Sequence, residues 1–165
     1  MRSVSTPNED EIEWSLRPFS ELGLNCLYDI LALRAQVFVV EQNCVYADLD
    51  ELDRLPGNRH VIGRCDNTIC AYARSLAPVT LAGGSATSVD SRIGRVVVHP
   101  SWRRRGLGST MLGLLLDDLT SRHPASAVRL DAQLDAEHMY ASAGFVRISD
   151  VFLEDGIEHV RMRKA

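Results

Sequence analysis

The apolar run Val96-Val97-Val98 is followed at once by His99-Pro100, then by Arg103-Arg104-Arg105-Gly106-Leu107-Gly108-Ser109. Three consecutive β-branched residues favour extended chain, and proline ends the run because it cannot supply a ladder N–H. After the glycines, Met111, Leu112, Leu115 and Leu119 recur at steps of three and four, one face of a helix that Pro124 closes. A buried strand, a tight glycine loop and an amphipathic helix in this order commit the chain to an α/β fold.

The same stretch also predicts chemistry. A glycine loop between strand and helix presents unpaired backbone N–H groups at the helix amino terminus, where the aligned peptide dipoles favour an anion. Gly106 and Gly108 leave room for a phosphate to approach the main chain, and arginine adds charge-assisted hydrogen bonds to the same oxygens. A P-loop would need Gly-Lys-Ser/Thr, and the dinucleotide fingerprint would need glycine or alanine where Met111 stands. What remains is an R-x-x-G-x-G cradle for a pyrophosphate.

The other expected elements surround this unit. Ile12, Trp14 and Leu16 alternate with polar residues as a first strand. Residues 21–41 are expected as one helix capped by Ser20, with Leu24, Leu27, Leu31, Ala35 and Phe38 facing the core. Residues 59–65 and 68–76 form a hairpin at Asp66-Asn67, and 78–90 a loop. Residues 92–99 and 107–121 are the strand and helix already described. A strand at 128–132 and a short helix at 135–142 ended by Gly144 follow, then a hairpin of 145–152 with 158–163 about Asp155-Gly156. The 165 residues read as one domain spanning 1–165.

Composition narrows the function. Eighteen basic against 22 acidic residues give a net charge of −4, which disfavours a nucleic-acid or anionic-membrane binder. No apolar run approaches the ~18 residues of a membrane span, and residues 1–13 lack the apolar core of a secretory signal, so a cytoplasmic protein is expected. Arginine dominance, with Lys164 the single lysine, suggests a bacterial source rich in G and C. Cys26, Cys44, Cys65 and Cys70 show no metal-like spacing and are expected as reduced, packed thiols. Asp48, Asp50, Glu51 and Asp53 fail as a calcium loop because Asp53 stands where its glycine belongs.

Arg103, Gly106 and Gly108 after Val-x-His-Pro resemble the phosphate loop of the GCN5-related N-acetyltransferase (GNAT) superfamily. Tyr140-Ala141-Ser142-Ala143-Gly144-Phe145 is similar to that superfamily's Tyr-x-x-x-Gly-Phe helix end. Several further segments resemble the ElaA-like family: Leu33-Arg34, Val37-Phe38-Val39-Val40-Glu41-Gln42, Cys44-x-Tyr46, Asp50-x-x-Asp53, Asp131-Ala132-Gln133 and Glu154-Asp155-Gly156-Ile157-x-His159. The resemblance implies a mixed, mostly antiparallel sheet splayed at the central strand and flanked by helices. It implies acetyl-coenzyme A as cosubstrate, its pantetheine amides pairing with Val96, Val97 and Val98. The pyrophosphate would lie on Arg104, Arg105, Gly106, Leu107, Gly108 and Ser109, flanked by Arg103.

On this reading a neutral amine attacks the thioester directly, with no metal. Tyr140 serves as the proton donor to sulfur, because a phenol within hydrogen-bond reach can protonate a departing thiolate. The carboxylate base that some members carry on the central strand is absent around Arg95-Val96-Val97-Val98. Glu41 is the leading candidate for that base; the acidic segment, His99 and His159 are the others. Asp48, Asp50, Glu51 and Asp53 are expected to draw a small cationic amine as acceptor. Two alternatives stand beside this. Arg34-x-x-x-Phe38 and Asp50-x-x-Asp53 also resemble acyl-homoserine-lactone synthases, although Cys44 and Tyr46 occupy a loop where those enzymes place tryptophan. A non-catalytic acyl-coenzyme A sensor is the other, and a homodimer is left open as the assembly.

Overall fold

The computed structural model describes residues 12–79 and 90–165. Eight strands form one sheet: β1 (Glu13–Arg17), β2 (Arg59–Cys65), β3 (Thr68–Leu76), β4 (Ser91–Val98), β5 (Val128–Gln133), β6 (Val146–Arg147), β7 (Phe152–Glu154) and β8 (Ile157–Lys164). The order is β1-β2-β3-β4-β5-β8-β6, with β7 also on β8. Every pairing is antiparallel except β4 with β5. The expected mixed, mostly antiparallel sheet flanked by helices is what forms.

The helices are α1 (Leu24–Arg34), α2 (Leu107–Arg122) and α3 (Glu137–Ser142). They lie against two separate apolar faces. Met111, Leu112, Leu115 and Leu119 of α2 pack with Val61, Ala73, Ile93, Leu130 and Val160 on one side of the sheet. On the other, Ile30, Leu33 and Val37 pack with Ile62, Ile69, Tyr72 and Val97. Strand alternation delivers this, since neighbours such as Val61 and Ile62 point to opposite faces.

The first helix differs from expectation in three ways. Ser20 lies inside a short 3-10 turn, Phe19–Glu21, and α1 begins only after Gly23. Its buried stripe is Ile30, Leu33, Arg34 and Val37, while Leu24 is 86% exposed. The apolar residues fit either rotation, and the ties of buried Arg34 to Asp48 and Asp53 fix the one observed. Finally, residues Ala35–Glu41 continue as a π-helix, closed by a bond from Gln42 N–H to the Val37 carbonyl of 3.0 Å. Such widened turns often sit at functional sites. Here the turn brings Val37, Phe38, Glu41 and Gln42 to the edge of the groove described below.

At the carboxyl end the expected hairpin is divided. Phe152–Glu154 pairs with β8 through a turn whose Asp155 and Gly156 both have positive φ, 50° and 82°, the signature of a tight two-residue hairpin. Val146 and Arg147 pair separately with Arg163 and Met162.

Candidate active site

Strands β4 and β5 hold together only at their first residues, Ser91 with Val128 and Arg92 with Arg129. Beyond that point they part, and residues 93–98 have no strand neighbour on the β5 side among the described residues. His99 N–H bonds to the Cys70 carbonyl at 2.8 Å, so strand alternation turns the N–H and C=O of Val98 away from β3. The β3–β4 register also shifts opposite Tyr72 to Arg74, leaving an extra residue in β4, and Arg95 there has φ +54°. The resulting groove measures about 720 Å³, within the range of small-molecule sites. Val96, Val97, Val98, Gly108 and Tyr140 line one part of it; Tyr46, Arg74, Arg92, Arg129 and His159 line another.

Of the phosphate-loop residues, Arg103 and Gly108 line this groove. Gly106 caps α2 in a left-handed conformation, φ +78°, and among the described residues no side chain caps the helix's first amides. The first intrahelical bond is Thr110 N–H to the Gly106 carbonyl, which leaves the amides of Leu107, Gly108 and Ser109 without helical partners. Buried Trp102 and Leu107 anchor the loop from below. Gly108 also packs against α3, because a Cβ there would meet Met139 Sδ at 2.7 Å.

The three arginines do not act alike. Arg105 lies over the Trp102 ring at 4.9 Å and bonds to the Ser101 carbonyl. Arg104 is exposed, with φ +60°. Arg103 donates to the Val98 carbonyl at 3.2 Å and makes a two-bond contact with Glu41, at 2.6 and 2.9 Å. That contact corrects the expectation for Glu41. Arg103 holds its carboxyl below the usual range, so Glu41 is a poor proton acceptor as placed.

Tyr140 is buried by its ring, edge-on to Phe145 at 6.2 Å, while lining the groove. Its hydroxyl has no hydrogen-bond partner among the described residues. Burial pushes the phenol well above its ordinary pKa, so it holds its proton at neutral pH.

The acidic segment is likewise corrected. Asp48 and Asp53 are 7% and 8% exposed and are not a solvated patch. Arg34 bonds to Asp48 at 2.9 Å and to both Asp53 oxygens at 3.0 Å. Arg74 meets Asp53 at 2.8 Å and Asp50 at 2.7 and 2.8 Å, while Arg95 reaches Asp48 and Asp50 at 2.8 and 3.2 Å. Three carboxylates thus face three guanidinium groups. Burial alone would raise Asp50, but Arg74 and Arg95 outweigh it and hold it at about 2. The network fixes the Arg95 bulge and leaves little net negative charge to attract a cation.

The comparisons fit this geometry. Residues 59–165 match the family model described as acetyltransferase (GNAT) domain. The chain is 37% identical over 159 residues to the protein ElaA of Escherichia coli strain K12, covering 93% of this chain and 96% of that one. The chain belongs to the GNAT acetyltransferases, among the ElaA-like proteins. The crystal structure of Escherichia coli ElaA superposes with a TM-score of 0.83 at 36% identity, covering 93% of this chain and 99% of that one. An acyl-CoA N-acyltransferase from Pseudomonas aeruginosa gives the same TM-score, identity and coverage. The acyl-homoserine lactone synthase BjaI shares the fold, with a TM-score of 0.69 at 13% identity over 90% of this chain and 80% of that one. GNAT proteins use acyl-coenzyme A, and the residues at the splay fit such a ligand: free helix amides, a β4 edge that β5 leaves, and a phenol with no hydrogen-bond partner among the described residues.

Within this GNAT groove, His159 stands out among the remaining base candidates. Its Nδ1 lies 2.9 Å from the Ile157 carbonyl, which can only accept, so Nδ1 carries a hydrogen, and in the neutral ring the lone pair falls on Nε2. His99 instead accepts from Ser101 N–H and caps a 3-10 turn. Gln42 and Gln133, which the sequence offered only as parts of family-like motifs and without a role, bond reciprocally through their amides at 3.4 and 3.1 Å between the π-helix end and β5. Sequence reasoning passed over Arg92 and Arg129. Their signal was present: Arg129, Asp131 and Gln133 alternate with Val128, Leu130 and Ala132, which marks a polar face on a half-buried strand.

Proposed function

We propose that the protein is an N-acetyltransferase that moves an acetyl group from acetyl-coenzyme A to a primary amine. The observation that carries this reading is the parting of β4 from β5 toward the uncapped amino terminus of α2, with Tyr140 on the same groove. Acetyl-coenzyme A supplies the activated acyl group as a thioester. The amides of Leu107, Gly108 and Ser109 hold its pyrophosphate, with Arg104 in reach of solvent-facing oxygens. Arg103 stands beside them with Glu41 in its grip, adding no free charge of its own. Val96 and the N–H of Val98 offer strand-edge groups to the pantetheine amides, and a backbone N–H beside them steadies the developing oxyanion.

His159 takes the place first given to Glu41. Its Nε2 accepts the proton of the incoming amine, directly or through water, and Glu154, 4.0 Å away, balances the charge formed. The Tyr140 hydroxyl donates at the sulfur.

The test is Tyr140→Phe. The ring keeps its packing and no hydrogen bond to the described residues is lost, so thermal stability should hold. Loss of a general acid lowers kcat by ~10²–10⁴-fold. Release of coenzyme A thiol across an amine panel reads the rate, and calorimetry reads coenzyme A affinity, which should hold. Wild-type kcat in the variant, with the chemical step shown rate-limiting by rapid mixing, would refute the role. No thiol release with any amine, despite coenzyme A binding, would favour the sensor reading.

A further inference from the structure

Across the closed end of the splay, Leu76 of β3, Arg92 of β4, Arg129 of β5 and Arg163 of β8 stand in one cross-strand row. Neighbouring strands are about 4.8 Å apart and residues in register share a face, so three guanidinium groups occupy adjacent positions. Like charges so placed weaken a sheet unless counter-charge is supplied. Arg163 has its counter-charge in Asp90, at 2.8 and 3.4 Å. Arg92 and Arg129 have no hydrogen-bond or ion-pair partner among the described residues, and both line the groove.

The groove's other arginines are engaged. Arg74 and Arg95 are held by the aspartate network and Arg103 by Glu41. Of the groove's acids, Asp131 is held by Arg161 at 2.7 Å, Glu154 lies beside His159, and Asp135 and Asp155 line the groove as well, just past Gln133 and in the turn before β8. His159 pairs with Gln133, the last residue of β5, whereas Arg129 is near its start. The groove is therefore positive at its closed end and carries a base among carboxylates at its open end.

We propose that Arg92 and Arg129 form an anion subsite, and that the acceptor is an amine bearing an anionic group, carboxylate or phosphate, in place of the simple cation first expected. This deepens the amine-acetylation reading and rests on it. At a strand rise of about 3.3 Å per residue, Arg129 lies roughly 13 Å along β5 from Gln133, the residue paired with His159, which caps the separation of anion and amine at about that length. Both guanidinium groups present planar N–H forks to such a ligand, which would relieve their mutual repulsion on binding.

A binding experiment tests the subsite apart from turnover. Protein labelled at its arginine side chains is saturated with coenzyme A, which covers the helix amino terminus, and is then titrated with succinate or with inorganic phosphate. Saturable shifts of the Arg92 and Arg129 Nε–H resonances are expected, and the tighter ion identifies the group. Absence of saturable shifts at both arginines in the wild type overturns the proposal without recourse to a variant. So does a saturable response at the remaining arginines that is unchanged in Arg92→Gln/Arg129→Gln.

Turnover supplies the second arm. Thiol release is compared for 4-aminobutyrate against propylamine, lysine against cadaverine, and phosphoethanolamine against ethanolamine. Preference for the anionic member of a pair should fall by ~10–100-fold in the double variant and recover in part in Arg92→Lys/Arg129→Lys. Turnover of the neutral members with no such preference overturns the subsite and leaves amine acetylation standing. No turnover of any amine counts against amine acetylation, while the titration still decides the subsite.

Discussion

Asp53→Asn separates the buried network from the acidic magnet that the sequence suggested. Asp53 accepts two bonds from Arg34 and one from Arg74, with side chains 11%, 1% and 3% exposed. Asparagine keeps the shape but removes the charge, leaving three guanidinium groups against two carboxylates and setting an amide N–H₂ against N–H donors. Breaking a buried pair costs about 3–5 kcal/mol, and because the asparagine oxygen still accepts, the lower end applies. For 165 residues, an unfolding entropy of about 2.1 cal/mol/K per residue gives ~0.35 kcal/mol/K, so Tm should fall by ~9 °C. Calorimetry reads the Tm, and urea unfolding should show a lower midpoint at an unchanged slope. Combination with Arg74→Gln should cost less than the sum of the two. A Tm within 2 °C of wild type, or strictly additive costs, would refute the network's role. Asp50 adds a pH signature. Its pKa is depressed to about 2, so its contribution is full above pH ~4 and is lost as pH falls through that range.

Three further outcomes follow from the same geometry. His159→Gln should lower kcat by ~10²–10⁴-fold with coenzyme A affinity unchanged, read by thiol release and calorimetry; a near-wild-type kcat returns the base to another group. Buried His60, between the Tyr72 hydroxyl at 2.8 Å and the Asp53 carbonyl at 3.0 Å, has its pKa lowered by burial. The unfolded chain therefore takes up its proton first, so stability is full above pH ~6.5 and declines below it; His60→Gln should flatten urea midpoints between pH 7 and 5. Gly106→Ala adds a Cβ that meets no protein atom within 4 Å but faces a φ of +78°, so it should cost about 1–2 kcal/mol of stability. It should also weaken coenzyme A binding by about tenfold, and unchanged affinity in the folded variant would move the pyrophosphate elsewhere.

The order of strands and helices was legible because each rests on local chemistry. Val96 to Val98 before proline, α2's leucines and the Asp155-Gly156 turn need no distant partner to be read. The first helix was misjudged where distant contacts decide. Leu24, Leu27 and Leu31 made an apolar stripe as regular as the one used, but burial of Arg34 selected the other face. The π-turn depends on packing that spacing does not encode. The parting of β4 from β5 was inferred from family resemblance, since only the short parallel register marks it.

The misreading of the site has one physical cause, that a charge in sequence does not reveal its partner. Four acids within residues 48–53 look like a solvated cation trap, yet the arginines that neutralise three of them come from α1, β3 and β4. Glu41 looks like a free base until Arg103 is brought to it from a loop 62 residues away. Arginine at alternate strand positions carried the better signal. In a chain with one lysine, every other fixed cation is a planar fork suited to pairing, so an arginine on a strand raises the question of what it pairs with. Arg34, Arg74, Arg95, Arg103, Arg161 and Arg163 have carboxylate partners within the fold. Arg92 and Arg129 do not among the described residues, and their place on the groove makes a bound anion the simplest counter-charge.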